Sequence, residues 1–323
     1  MYYALPYKTK QFFFVLIKLT IVAGAAYFIY EKLITNGELD FLVFVDFLSK
    51  KDVFRPKSII FLLFLTIFNW FFEILKWKEL VGYIKKITFL ESSKQSFGAL
   101  TASLFTPNRI GEYGAKAIYF AQRFRKRILL LNLLGNISQM GMTVIFGVIG
   151  LFYFITTYDV TISYYRLSRF GMVILVVAVL FTFGISQNKF KIKGFSIERV
   201  FKFVQEIPIQ KKVKILLYSC IRYAIFSFQF YFLLSLFNTE LSYLQAMIGI
   251  SSMYLLSSVV PTLFLFDVVI KGGVAVYIFG LMGINELLVL CIVTLMWTLN
   301  FVLPSIIGGY HVLNFNYLPE NDE

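Results

Sequence analysis

Leu100-Thr101-Ala102-Ser103-Leu104-Phe105-Thr106-Pro107-Asn108-Arg109-Ile110-Gly111-Glu112-Tyr113-Gly114-Ala115-Lys116 is an apolar run broken by a proline and then loaded with charge. A second stretch has the same plan: Leu255-Leu256-Ser257-Ser258-Val259-Val260-Pro261-Thr262-Leu263-Phe264-Leu265-Phe266-Asp267-Val268-Val269-Ile270-Lys271-Gly272-Gly273. Each has a serine-containing apolar run, a proline, an acid five or six residues later, and a lysine four residues after the acid. Proline is favoured at the first position of a helix, and Thr106 is a suitable N-cap. Each stretch therefore reads as a half-helix, a break, and a second half-helix beginning at Pro107 or Pro261. Spacing of four places Glu112 with Lys116, and Asp267 with Lys271, on one helix face.

Around these stretches the chain is apolar to a degree that soluble domains do not reach. Of 323 residues, 59% are hydrophobic and 15% charged, with a mean hydropathy of +0.75; soluble domains carry about 25% charge. Continuous apolar runs of roughly 20 residues are each long enough to span a hydrocarbon core. They do not alternate, which excludes an outer-membrane β-barrel. Six crossings are expected, near 11–30, 58–78, 128–154, 168–186, 213–237 and 287–310. The interrupted stretches, near 95–120 and 243–280, read as broken or re-entrant hairpins. The expected fold is thus an all-α polytopic membrane protein, a single membrane domain over 1–323. Its longest gaps, 31–57 and 187–212, are too short for a soluble catalytic domain. Three crossings separate the two broken stretches, an odd number, so the halves 58–154 and 213–310 read as an inverted repeat. Inverted repeats around broken helices are the pattern of transporters with a site near the midplane.

The loops carry Lys and Arg unevenly, 19 on the side holding 76–94, Arg123–Arg127 and 187–214 against 7 on the other. By the positive-inside rule the richer side is cytoplasmic, with both termini inside a bacterial-type plasma membrane. That rule also accounts for the net charge of +13, so nucleic acid is not expected as a partner. Ile197, Val200, Phe201 and Val204 recur at helical spacing opposite Arg199 and Lys202. The pattern fits a basic amphipathic helix on the inner leaflet, or equally a helix packed beneath the bundle. Gln11–Tyr30 resembles a signal peptide, but Lys18 interrupts it and it is retained as the first crossing. Cys220, Cys291 and the lone His311 are too scattered for a disulfide or a metal site, and no cofactor is expected.

Each charge at the bilayer centre costs ~2.5–3.5 kcal/mol on insertion scales. Arg109, Glu112, Lys116, Arg222, Asp267 and Lys271 must therefore face one another or a wet cavity, unless they snorkel to the interface. Asn132, Asn136, Gln139 and Thr143 draw a polar stripe at three- and four-residue spacing. The stripe lines a cavity or makes interhelical hydrogen bonds. Glu73 is read as pairing with Lys76 or Trp77 near the membrane interface.

The run Thr106-Pro107-Asn108-Arg109-Ile110-Gly111-Glu112-Tyr113-Gly114 followed by Lys116, with Pro261, Asp267, Lys271 and Gly272 as a second match, resembles the lysylphosphatidylglycerol synthase transmembrane region, a flippase-like membrane domain family. The resemblance implies a flippase for aminoacylated phosphatidylglycerol, fused in its best-understood members to a cytosolic aminoacyl-transfer domain. This sequence reaches Glu323 soon after the last crossing, so translocation without that enzymatic step is expected. Other members handle glycolipid, polyprenyl-linked or hopanoid lipids, which leaves the lipid open. The headgroup site expected on this reading comprises Pro107, Arg109, Glu112, Lys116, Arg222, Pro261, Asp267 and Lys271, with Asn132, Asn136 and Gln139 lining the cavity. The partners are membrane lipids, anionic phospholipid or glycolipid, and a lipid-synthesising enzyme. The alternatives are a non-transporting scaffold for such an enzyme and a membrane-embedded lipid-phosphate enzyme. The latter would need a nucleophile or metal cluster that the sequence does not display.

Overall fold

Pro56 opens the first described helix, α1 (Pro56–Val81), from an extended Arg55, its missing N–H falling where a helix has no use for one. The computed structural model describes residues 55–104, 106, 110–158, 191–192, 195–259 and 264–315. The crossings expected at 11–30 and 168–186, together with Pro107, Arg109 and Pro261, lie outside the described residues.

After α1 come α2 (Phe89–Ser103), α3 (Gly111–Ala117) and α4 (Gln122–Thr157). A two-residue antiparallel hairpin, Lys191–Ile192 with Phe195–Ser196, precedes α5 (Ile197–Glu206). The chain continues through α6 (Ile209–Leu236), α7 (Tyr243–Val259), α8 (Phe264–Leu281), α9 (Glu286–Trp297), a π turn (Thr298–Val302) and α10 (Leu303–Leu313). Among the described residues, four helical spans are long and apolar enough to cross a membrane: Pro56–Val81, Gln122–Thr157, Ile209–Leu236 and Glu286–Leu313. They coincide with four of the expected crossings. Gln122–Thr157 begins earlier than its apolar run, because the basic Arg123–Arg127 segment forms its first turns.

These helices are built inside out relative to soluble ones. α1 turns Ile60, Phe64, Ile67 and Phe68 outward and buries Thr66, Asn69, Glu73 and Lys76. Lipid tolerates apolar side chains, so polar groups gain most by facing other helices. α1 runs along α6, α4 along α7, and α10 along α2. The last of these approaches depends on Gly308, where a Cβ would collide with the Phe97 carbonyl and the Thr101 hydroxyl. Thr101 Oγ1 donates to the Ser305 carbonyl across the same contact, at 2.8 Å.

The first broken stretch is interrupted in the structure as well. α2 stops at Ser103 and α3 starts at Gly111, while the helical start expected at Pro107 lies outside the described residues. Thr106 links the two helices. Its hydroxyl donates to Ser103 O at 2.8 Å and accepts the Gly111 N–H at 2.9 Å, so it closes one helix and caps the next. A Cβ at Gly111 would lie 2.8 Å from Thr106 Cγ2 and 2.9 Å from Ala102 O, which reserves the position for glycine. In the second stretch α7 reaches Val259 and α8 is described from Phe264, and 260–263 lie outside the described residues.

The π turn also has a local cause. Pro304 has no N–H to give the carbonyl of Asn300, and its ring crowds that carbonyl, so the ladder widens for one turn. The freed Asn300 carbonyl accepts from Trp70 Nε1 at 3.2 Å.

Candidate functional site

Thr66, Asn69, Glu73 and Lys76 follow one another at intervals of three, four and three residues, so α1 presents them as one stripe. Glu73 is its hub. Its carboxylate meets the Arg222 guanidinium from α6, the Lys76 ammonium at 2.8 Å one turn along α1, and the Lys116 ammonium from α3 at 4.0 Å. The expected pairing of Glu73 with Lys76 is present, but it sits inside the bundle, where both residues are at most 9% exposed.

Lys116 is held from several sides. Glu112 accepts from it at 2.7 Å and Asn132 Oδ1 at 2.9 Å, while the Trp77 ring lies 4.3 Å beneath its ammonium. Trp77 is fixed in turn by its indole N–H, donated to Gln95 Oε1 at 2.8 Å. Glu112 lies in the first turn of α3. The Glu112–Lys116 spacing of four performs as the sequence suggests.

The α4 stripe reaches this centre at three levels. Asn132 binds Lys116, Asn136 Nδ2 donates to Tyr113 Oη on α3 at 3.0 Å, and Gln139 Oε1 accepts from Arg222 at 3.1 Å. Of the two roles open to the stripe, interhelical hydrogen bonding is the one these contacts display. Thr143 bonds within its own helix, to Gln139 O.

Arg222 links the charges to a run of neutral amides. Its Nε donates to Asn69 Oδ1 at 3.1 Å; Asn69 Nδ2 donates to Asn300 Oδ1 at 2.9 Å; Asn300 Nδ2 donates to Gln229 Oε1 at 2.9 Å. Gln229 closes the run by donating to Thr66 Oγ1 at 2.9 Å and Leu62 O at 3.2 Å. A continuous polar path therefore runs from α3 through α1 and α6 to the π turn. Lys271, by contrast, lies half-buried with its ammonium 5.8 Å from the Phe301 ring. Asp267 is on α8 four residues before it, its side chain outside the described residues.

Among the described residues the centre holds three cations, Lys76, Lys116 and Arg222, against two carboxylates, Glu73 and Glu112. Asn132 Nδ2, fully buried beside Lys116, has no acceptor among them. Such a centre favours the approach of negative charge. Sequence reasoning had Glu112, Lys116, Arg222 and the α4 stripe, and missed Asn69, Thr66, Gln229, Gln95 and Asn300. The α1 residues were within reach, since they share the spacing that exposed the α4 stripe. Asn300 was not, because its role depends on the π turn.

Among known families, the model of the lysylphosphatidylglycerol synthase TM region matches residues 15–308. No curated protein matches the chain.

Proposed function

The chain belongs to the lysylphosphatidylglycerol synthase transmembrane-region family, and from that premise we propose that it is a lipid flippase or lipid transporter. It moves an anionic lipid, with an aminoacylated or glycosylated headgroup, across a bacterial-type plasma membrane whose cytoplasmic side faces both termini. One observation carries the reading: a buried, hydrogen-bonded centre with more cations than carboxylates, beside a broken helix. A purely structural network would be more economical if neutral, because buried charge is costly even when paired. Excess positive charge at the break suits a passing phosphate or other anionic headgroup.

The inverted repeat is part of the proposal. Packing supports it: α4, closing the first half, runs along α7 of the second, and α10, closing the second half, runs along α2 of the first. α1 against α6 is the contact that such an exchange maps onto itself. The site then lies between the halves, and a lipid-synthesising enzyme supplies its substrate.

The test is Glu112→Gln, which keeps shape and removes charge. Labelled anionic phospholipid is followed between leaflets of proteoliposomes, with thermal unfolding measured on the same preparations. Translocation by folded variant protein is expected to fall well below native. Native-like translocation by a folded variant removes Glu112 from the mechanism. If the native protein moves no tested lipid, a scaffold for a lipid-modifying enzyme becomes the better reading.

A further inference from the structure

The cytoplasmic-type end of the bundle, where the sequence concentrates its lysines, carries an apolar surface that the transport site does not use. Phe203 of α5 and Ile207 just after it, 9% and 2% exposed, join a buried cluster there with Val81, Ile128 and Ile215 of α1, α4 and α6, and the Phe203 ring lies edge-on to Tyr83 at 5.8 Å. That contact covers only part of the helix's apolar arc. At 3.6 residues per turn, Val204 lies about 100° around from Phe203 and Phe201 about 160°. Val204 is half-buried and Phe201 is 67% exposed. Lys202, Gln205 and Glu206, on the remaining arc, face outward.

The depth of α5 follows from its connection to α6. Only Ile207 and Pro208 separate the two helices. Ile209, 69% exposed, starts a ridge that continues through Val213 and Leu217 along the outer side of a span long enough to cross the membrane. An exposed apolar ridge on such a span is a lipid-facing one, so its first residue marks the edge of the hydrocarbon. α5 is tied to that edge with Phe201 uncovered. Around it the same buried cluster gathers the basic ends of α1 and α4, where Lys85, Lys86, Lys126 and Arg127 are exposed, as are Lys202 and Lys214.

We propose that α5 is an interfacial anchor: it seats Phe201 at the acyl–headgroup boundary and selects anionic lipid there through the surrounding lysines. The occupant is anionic because exposed cations outnumber acids at this end, where Glu79 is already engaged by Lys211 at 3.2 Å. Amphipathic helices with a basic polar face and an aromatic apolar face lie in this layer and prefer anionic headgroups. Phe203 belongs to the same buried cluster as Trp77, whose ring lies under the Lys116 ammonium.

The experiment uses the full chain with Phe201→Trp in vesicles; native protein supplies the background of the buried Trp70, Trp77 and Trp297. Either phosphatidylglycerol or phosphatidylcholine is brominated near the headgroup end of its acyl chains, at equal mole fraction. Quenching by both lipids is expected, with preference for phosphatidylglycerol of about fivefold or more. That preference should shrink as ionic strength rises and in a Lys85→Gln/Lys86→Gln/Lys202→Gln background. Absence of quenching by either lipid overturns the proposal, whether Trp emission reports water or a protein covering such as a second copy. Equal quenching by the two lipids in the native-charge background overturns the anionic selection.

Discussion

The polar path through the bundle has two ends of different character. At one end Thr66, Asn69, Gln229 and Asn300 form a neutral relay in which each amide gives and accepts side-chain hydrogen bonds. At the other, Glu73, Lys76, Glu112, Lys116 and Arg222 hold full charges beside a helix break. The neutral end joins α1, α6 and the π turn without introducing buried charge, so its work is finished once the helices are assembled. The charged end keeps an excess cation and a buried amide donor without an acceptor among the described residues. A fold needing only to be held together has the neutral design available and uses it nearby. On the proposed function, the charged end serves the passing lipid and the neutral end does not.

Glu73→Gln breaks the charged end at its hub and carries the largest expected effect. Its carboxylate is the one that joins cations from three helices, α1, α3 and α6. Removing one member of a buried ion network costs about 3–5 kcal/mol. Unfolding in detergent micelles should show a large fall in Tm, and translocation should fail with it. A small change in stability would mean that the three cations are compensated elsewhere.

Asn300→Leu breaks the neutral end. Asn69 Nδ2 loses its acceptor and Gln229 Oε1 its donor, each left buried at a cost of about 1–3 kcal/mol. The π turn should persist, because Pro304 rather than the Asn300 side chain creates it. Translocation per folded molecule should remain near native. Loss of translocation at retained stability would erase the distinction between the two ends and make the whole path functional.

What the sequence revealed follows the same division. Charge inside an apolar chain is conspicuous, so Glu112, Lys116 and Arg222 could be singled out, and the spacing of four predicted the Glu112–Lys116 pair. Hydropathy likewise located the spans now seen at Pro56–Val81, Gln122–Thr157, Ile209–Leu236 and Glu286–Leu313. Glu73 was visible but misplaced, since a carboxylate near the end of an apolar run looks interfacial until Arg222 is brought to it from 149 residues away. Asn300 and Gln229 were hidden because a lone amide in an apolar span has no local partner to announce it. The start of α3 at Gly111 was not legible, because it rests on the Thr106 hydroxyl and on space available only to glycine.

That boundary gives a sharper test of the break itself. Gly111→Ala forces a Cβ against Thr106 Cγ2 and Ala102 O, and strain of this kind costs about 1–3 kcal/mol. Gly114→Ala is the control, since its Cβ would meet nothing within 4 Å and alanine favours the helix. Translocation should drop in the first variant and hold in the second. Equal behaviour would mean that the exact seating of Glu112 beside the break does not matter.

The smallest effect is expected farthest from the centre, at the start of α2. Thr88 and Glu91 form a capping box: the Thr88 N–H and hydroxyl both donate to Glu91 Oε2, at 2.6 and 2.9 Å, and Glu91 N–H returns a bond to Thr88 Oγ1 at 3.2 Å. Those donors hold the Glu91 carboxyl below its ordinary pKa. A carboxylate depressed in the folded state stabilises it above the unfolded pKa of about 4.3, and that contribution is lost as pH falls through the folded value. Native protein should thus be slightly more stable than Glu91→Gln at neutral pH, and the two should converge in acid. Thr88→Ala should cost about 1 kcal/mol. Neither variant should alter translocation at neutral pH, because the cap is exposed and touches none of the groups around Glu73. If either did, the capacity to move lipid would depend on the placement of α2 as a whole, and the assignment of function to the charged end would have to extend to the helix that leads into the break.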